Sequence, residues 1–264
     1  MKKIGFMIIP ILVVIAAGLM LPKMMSGAVS MTTLAPVYLG VIFFMFLLRP
    51  KKGPSKSAQQ VMDEVYDDYC KDAFAEHPEL EKKFVAAVND FGKSLPKSAL
   101  NKLQSLSDEC ATKQQKYAVA MAGALICRST QDWKHAVREY NKAIVLNPTD
   151  TLAYNIGDCQ QRLGNLDKAI DSYEFAMELN PESARYPSSI ATACVGSGKY
   201  DRAIGYAEDA LAIDPEYAQA LATMAICYGL KDDPVMHKHY SVKAAEAGYK
   251  LEKIDATIKA LKKR

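Results

Sequence analysis

Acidic residues are missing from the first quarter of this 264-residue chain: no Asp or Glu precedes Asp63. Nor does any stretch show the strict polar–apolar alternation of a half-buried strand, which argues against a sheet. Cysteine pairs at C-x2-C spacing are absent, and so are phosphate-loop, nucleophile-elbow and dinucleotide fingerprints. With them go the usual signs of a zinc site, a nucleotide pocket or an acyl-transfer centre, and neither a cofactor nor a catalytic residue is expected. The four histidines are scattered, and His237-x-His239 puts two rings on different faces of a helix, unlike an i, i+4 ligand pair. The formal net charge is +3, but seven of the 33 basic residues precede Asp63, which leaves 26 against all 30 acidic ones. A mildly acidic remainder lacks the basic footprint of a nucleic-acid binder.

What is present begins with two uncharged apolar runs, Ile4–Leu21 and Ser30–Leu48. At 1.5 Å per residue each reaches ~27–29 Å, close to the ~30 Å hydrocarbon core of a bilayer. Lys2 and Lys3 precede the first run, and Arg49, Lys51 and Lys52 follow the second. The positive-inside rule then expects a two-pass hairpin over residues 1–49 with both termini cytoplasmic, in a membrane of bacterial type. The alternative for the first run is a signal peptide, with Ser26-Gly27-Ala28 as small residues for cleavage, although the run exceeds the usual ~7–15 residues of such a core. Residues 50–56 form a basic linker broken by Pro50, Gly53 and Pro54, either a stop-transfer flank or a contact for anionic headgroups.

Residues 57–115 read as a helical lead-in: one helix from about Ser57 to Phe74, a second opened by Pro78, a third opened by Pro96. The last two suggest a degenerate repeat, with Ala99 and Leu103 at marked positions.

From there the chain repeats itself with a period of about 34 residues. Ala136, Ala169 and Ala203 recur; Tyr140, Tyr173 and Ala207 follow each by four places, and Ala143, Ala176 and Ala210 by three more. Pro148, Pro181 and Pro215 close the units, and Ala124, Gly157, Ala191 and Ala225 mark one small residue upstream in each. Small residues at matched places let two antiparallel helices approach closely. Gly164 and Gly198 suit a left-handed helix end. Each proline stops a helix and is able to open the next. One unit cannot bury its own apolar face, so units must stack. Cys127, Cys159, Cys194 and Cys227 occur once per unit and read as small buried apolar residues. After a fourth unit, with His237 and Ser241 in the alanine and aromatic places, Tyr249–Lys262 carries one apolar stripe, Leu251, Ile254, Ile258 and Leu261. That suits a closing helix; an amphipathic helix lying on the membrane is the alternative.

These marks resemble the tetratricopeptide repeat, whose pattern is W-x2-L-G-x2-Y, then A-x3-F, then P. Asp150–Ser183 supplies Ile156-Gly157, Ala169-x3-Tyr173 and Pro181; the flanking units supply Gly123-Ala124 with Ala136-x3-Tyr140, and Ile190-Ala191 with Ala203 and Pro215. The resemblance implies an all-α solenoid of three to four units over 116–248, capped by 249–264 and preceded by the transmembrane hairpin. It also implies a concave groove lined by the first helix of each unit and gripping a protein or peptide. By slot the lining includes Met121, Leu125, Arg128, Tyr154, Asn155, Asp158, Gln161, Arg162, Arg185, Ser188, Ser189, Thr192, Gln219 and Thr223, with Tyr154, Arg162 and Arg185 as exposed anchors. A carboxylate clamp found in part of the family is matched at Asn155 and roughly at Arg185, and departed from at Met121, Leu125 and Ser189. The expected role is non-enzymatic: a scaffold held to lipid by its hairpin and binding a partner at the cytoplasmic face. The alternative is a structural or assembly subunit of a larger membrane complex.

Overall fold

The computed structural model describes residues 56–65, 69–70 and 72–263. The hairpin expected at 1–49 and the linker residues 50–55 lie outside them. Among the described residues no helix is long and apolar enough to cross a membrane.

Twelve α-helices and no strand are found among the described residues: α1 (Lys56–Val65), α2 (Pro78–Gly92), α3 (Pro96–Glu109), α4 (Lys113–Ser129), α5 (Trp133–Leu146), α6 (Asp150–Arg162), α7 (Leu166–Leu179), α8 (Arg185–Gly196), α9 (Tyr200–Ile213), α10 (Ala218–Leu230), α11 (Pro234–Glu246) and α12 (Leu251–Leu261). Successive helices pair as α2–α3, α4–α5, α6–α7, α8–α9 and α10–α11, and the second helix of each pair packs on the first of the next. Helix α12 lies against α10 and α11.

Turn chemistry explains the regular spacing. Gly164 and Gly198 adopt φ of 79° and 73°, and the same left-handed corner recurs at Gln131 (61°) and Asp232 (57°), where the residue is not glycine. Past each corner a backbone N–H reaches back five residues to a helix carbonyl: Asp132 to Cys127, Asn165 to Gln160, Lys199 to Cys194 and Asp233 to Tyr228, all at 2.9 Å. This is the bond of a Schellman motif, which satisfies carbonyls that the helix end leaves open. The unit-closing prolines behave differently from the expectation that they open helices. Asn147, Asn180 and Asp214, just before them, are driven to φ of −148°, −146° and −135°, and the next helix starts two or more residues beyond. A residue before proline is disfavoured in the helical region, so these prolines act as stops. Pro78, Pro96 and Pro234 do open helices, where the missing N–H costs nothing.

The small residues permit the close approach that their spacing predicts. A Cβ on Gly157 would lie 2.5 Å from Cε1 of Tyr173. Ala124, Ala136, Ala169, Ala191, Ala203 and Ala225 are fully buried, as is Tyr140. In the lead-in, the described part of α1 is Lys56–Val65, and Phe74, expected at its end, lies in a turn and not on a helix. Phe74 is reached through turns closed by Ala73 N–H to Cys70 O and His77 N–H to Phe74 O, and its ring stacks on Phe84 at 5.1 Å. Asp90 ties α2 to α3: its carboxylate accepts from Ser98 Oγ at 2.7 Å and pairs with Lys102 Nζ at 2.6 Å, which holds its pKa down at about 2.

Candidate functional groove

The first helices of the units present matched slots, and those slots are not alike. On α6, Tyr154, Asn155, Asp158 and Gln161 are half-buried and Arg162 is exposed; on α8, Arg185 is exposed and Ser189 and Thr192 are half-buried; on α10, Gln219 is half-buried. Ser188 and Thr223 are not surface residues at all, each 1% exposed. Helices α8 and α10 touch, and Gln219 Nε2 donates to Thr192 Oγ1 at 3.4 Å. Short hydroxyl side chains at these slots therefore end beneath their neighbours. Thr223 Oγ1 donates to the Gln219 carbonyl, while the Ser188 hydroxyl has no partner among the described residues.

The middle of the groove is built around Tyr154. Its ring centroid lies 5.3 Å from that of Tyr173 and 5.9 Å from that of Tyr186. The Arg185 guanidinium sits 3.6 Å above the same ring, a cation–π contact of about 0.5–1 kcal/mol at an exposed site. Tyr154 is thus a packed platform for Arg185 and not a free-standing anchor. Among the described residues Arg185 forms no ion pair. Arg162 lies 5.2 Å from the Trp133 ring and 3.7 Å from Asp158 one turn away. Gln161 Oε1 accepts the Tyr173 hydroxyl at 3.0 Å.

Behind Tyr154 lies a network that slot matching had no means of finding. Asp150 Oδ2 accepts from Tyr186 OH at 2.6 Å and from Asn180 Nδ2 at 2.8 Å, joining α6, the end of α7 and α8. The Tyr186 bond, helped by Asn180 and Thr151, holds the Asp150 carboxyl below the usual aspartate range. Burial first, then Asp150, pushes the Tyr186 phenol up to about 12. Both groups keep their neutral-pH forms, which fixes the orientation of the aromatic platform.

On α4 the corresponding slots are closed to solvent. Met121 and Leu125, the counterparts of Tyr154 and Asp158, are 8% and 5% exposed. Arg128 Nη1 donates to Asn155 Oδ1 at 3.1 Å, and Nη2 lies 3.6 Å from Glu64 of α1. The repeated thiols are buried, and burial pushes Cys127 and Cys227 up to about 12 and Cys159 to about 11, so they remain neutral and poor nucleophiles. The arrangement offers donors, acceptors, a stacked cation and aromatic faces: equipment for holding a polypeptide.

Comparison with known proteins agrees with this geometry. Residues 149–216 match the tetratricopeptide repeat family model. A TPR repeat-containing thioredoxin of Arabidopsis thaliana is 35% identical over 72 residues, 27% of this chain and 11% of the relative. Small glutamine-rich tetratricopeptide repeat-containing protein 2 of Mycosarcoma maydis is 30% identical over 88 residues, 33% of this chain and 25% of the relative. The matches thus span a quarter or less of these relatives' length. Among solved structures, MamA superposes with a TM-score of 0.54 at 18% identity, over 61% of this chain and 93% of its own. A MamA fragment of Desulfovibrio magneticus gives 0.53 at 19%, over 64% and 94%. YrrB, a tetratricopeptide protein with an unusual peptide-binding site, gives 0.54 at 17%, over 69% and 93%. Residues 149–216 thus match the repeat family model, and the described helices share the all-α solenoid fold of these structures.

Proposed function

We propose that this chain is a membrane-anchored scaffold whose repeats hold a protein or peptide partner in the groove of α6, α8 and α10. One observation carries the reading: the exposed Arg185 guanidinium, stacked at 3.6 Å on a Tyr154 ring that is itself clamped between Tyr173 and Tyr186. A cation with no carboxylate partner among the described residues, held on a rigid aromatic floor, loses little freedom when a ligand arrives. Asn155, Asp158, Thr192 and Gln219 surround it with donors and acceptors suited to a polypeptide backbone. The peptide-binding site of YrrB, a protein of similar fold, supports the same use of these repeats.

The anchoring half of the reading rests on the two uncharged runs and their basic flanks, which put the repeats on the cytoplasmic side. Tethering raises the scaffold's effective concentration for partners at the same membrane.

The test is photocrosslinking capture on intact cells with the full chain and its Arg162→Glu, Arg185→Glu variant. Both changes lie on exposed side chains and leave the contacts of Tyr154 with Tyr173 and Tyr186 in place. A partner captured by the wild type and lost by the variant supports the reading; the same partners in both contradict it. Carbonate washing of the membranes tests the anchor separately, and release of the chain into the supernatant contradicts it.

A further inference from the structure

The second helices of the units share a set of outward slots, and those slots change sign along the array. Two places before, two after and five after the buried Tyr140 stand Arg138, Lys142 and Val145 on α5. The same places around Tyr173 on α7 hold Asp171, Phe175 and Glu178. All six are exposed, and at this spacing each set lies on one face of its helix. Apolar surface accompanies the charge on both: Val145 is 82% exposed, Phe175 38% and Leu179 42%. On α9 the acidic character continues with Asp209. Helix α11 carries Lys243 at the slot of Lys142, but Glu246 where α5 has Val145.

The charges of the two strips are only partly used within the chain. On α5, Glu139 accepts from both Arg138 Nε at 3.0 Å and Lys142 Nζ at 2.9 Å. Two cations on one carboxylate leave that helix with a positive surplus. On α7, Asp167 is paired with Lys199 and Glu174 with Arg202, whereas Asp171 and Glu178 have no ion-pair partner among the described residues. The spaces beside the strips differ as well. Glu174 also accepts from Tyr206 OH at 2.7 Å, which bridges α7 to α9. Between α3 and α5 a cleft of about 700 Å³ stays open, lined by Leu100, Leu103, Val119, Val145 and Leu146, with Lys142 on its wall.

We propose that this outer face joins two copies of the chain in a closed two-fold dimer, α5 of each copy lying against α7 of the other. A face that is positive on one helix and negative on the next complements itself after a half-turn, so both contacts form at once. Because α5 and α7 run the same way, the axis lies along the helices, between them. That sets Arg138 level with Asp171 of the other copy, and Lys142 about one turn from its Glu178. Phe175 and Leu179 of each copy then cover Val145 and the mouth of the other's cleft. An axis across the helices would stack α5 on α5 and oppose cation to cation, which the charges exclude. Apolar cover gives affinity, and the charges fix the register. This surface belongs to the second helices and leaves the Arg185 groove of the first helices free.

The test is sedimentation velocity of the full chain in detergent micelles at micromolar concentration. The wild type sediments as a dimer, and raising salt to about 0.5 M weakens it about tenfold. A Lys142→Glu, Val145→Glu variant, which keeps Arg138 on Glu139, is monomeric, and so is a Phe175→Lys, Glu178→Lys variant. Mixed in equal amounts, the two variants dimerise again, because each contact is restored with its signs exchanged. That rescue also shows that neither variant had lost its fold. Lys243→Glu on α11 leaves the dimer intact, as does the Arg162→Glu, Arg185→Glu change, so loss of partner capture with the dimer intact counts against the groove alone. A monomeric wild type, variants that stay dimeric or a mixture that stays monomeric overturns the proposal. Growth beyond a dimer overturns it too, since that marks an open head-to-tail contact, as does dissociation by Lys243→Glu.

Discussion

The units α4–α5 and α6–α7 lie 33 residues apart in the chain and share their small-residue marks and turn geometry, yet they face opposite fates. In the first, the slots hold Met121 and Leu125, both buried. In the second, the same slots hold Tyr154 and Asp158, half-open and bordered by Arg162 and Arg185. The scaffold is common because alanine, glycine and proline at fixed places determine how helices approach and stop. The use of each unit is set by two or three slot residues that the scaffold leaves free. An apolar slot needs a cover; a polar, aromatic one keeps a surface in water.

Matched substitutions break or sharpen that contrast, and the slots themselves give the largest effect. Leu125→Ala removes a buried side chain and is expected to cost about 2–5 kcal/mol, whereas Asp158→Ala stays within about 0.5 kcal/mol. Urea unfolding of the full chain, followed by far-UV circular dichroism, reads both. Equal costs would mean that the two slots do not differ in burial.

The left-handed corners come next. Gly164→Ala places a Cβ at φ 79° and costs about 1–2 kcal/mol, while Gln131→Gly relieves φ 61° for a net gain of about 0.5–1 kcal/mol after the extra entropy of the unfolded chain. Melting temperatures are expected to move in opposite directions.

The inter-helix tyrosines differ by a single bond. Tyr173→Phe loses the hydroxyl's bond to Gln161 and costs about 1 kcal/mol. Tyr140→Phe removes a buried hydroxyl without a partner among the described residues, and is neutral or stabilising.

The smallest effect is an acid one in the lead-in. Asp90, with its pKa lowered to about 2 by Lys102 and Ser98, contributes stability that is complete above the ordinary aspartate value of 3.8. That contribution is lost as pH falls from about 4 to 2. Protection of α2 and α3 against hydrogen exchange should therefore fall in that window in the wild type. In Asp90→Asn it should already be low at neutral pH and change little across the window.

Much of the solenoid could be read from spacing because its determinants are local and repeated. Gly157 is required by Tyr173 sixteen residues on, and the corner at Gly164 by the helix it ends. The groove was legible only as a set of slots. Nothing in the period distinguishes Ser188, which sinks between helices, from Ser189 beside it, since side-chain length and the approach of α10 decide their exposure. Tyr154 looked like a free anchor because Tyr186, which packs on it and is held by Asp150, comes from another helix and obeys no repeat. The burial of the α4 slots was hidden for a related reason, since only tertiary packing shows which slots lose solvent. Retrospectively, the apolar Met121 and Leu125 at positions expected to face a groove were the available signal.

The most direct test of the account places a photoreactive benzoylphenylalanine at Thr192, on the open groove, and at Val235, an exposed residue on the second helix of a pair. The account predicts a partner crosslinked from position 192 and not from position 235, with the adduct lost when Arg185→Glu is added. The same adducts from both positions, unaffected by Arg185→Glu, would contradict the groove as the working surface.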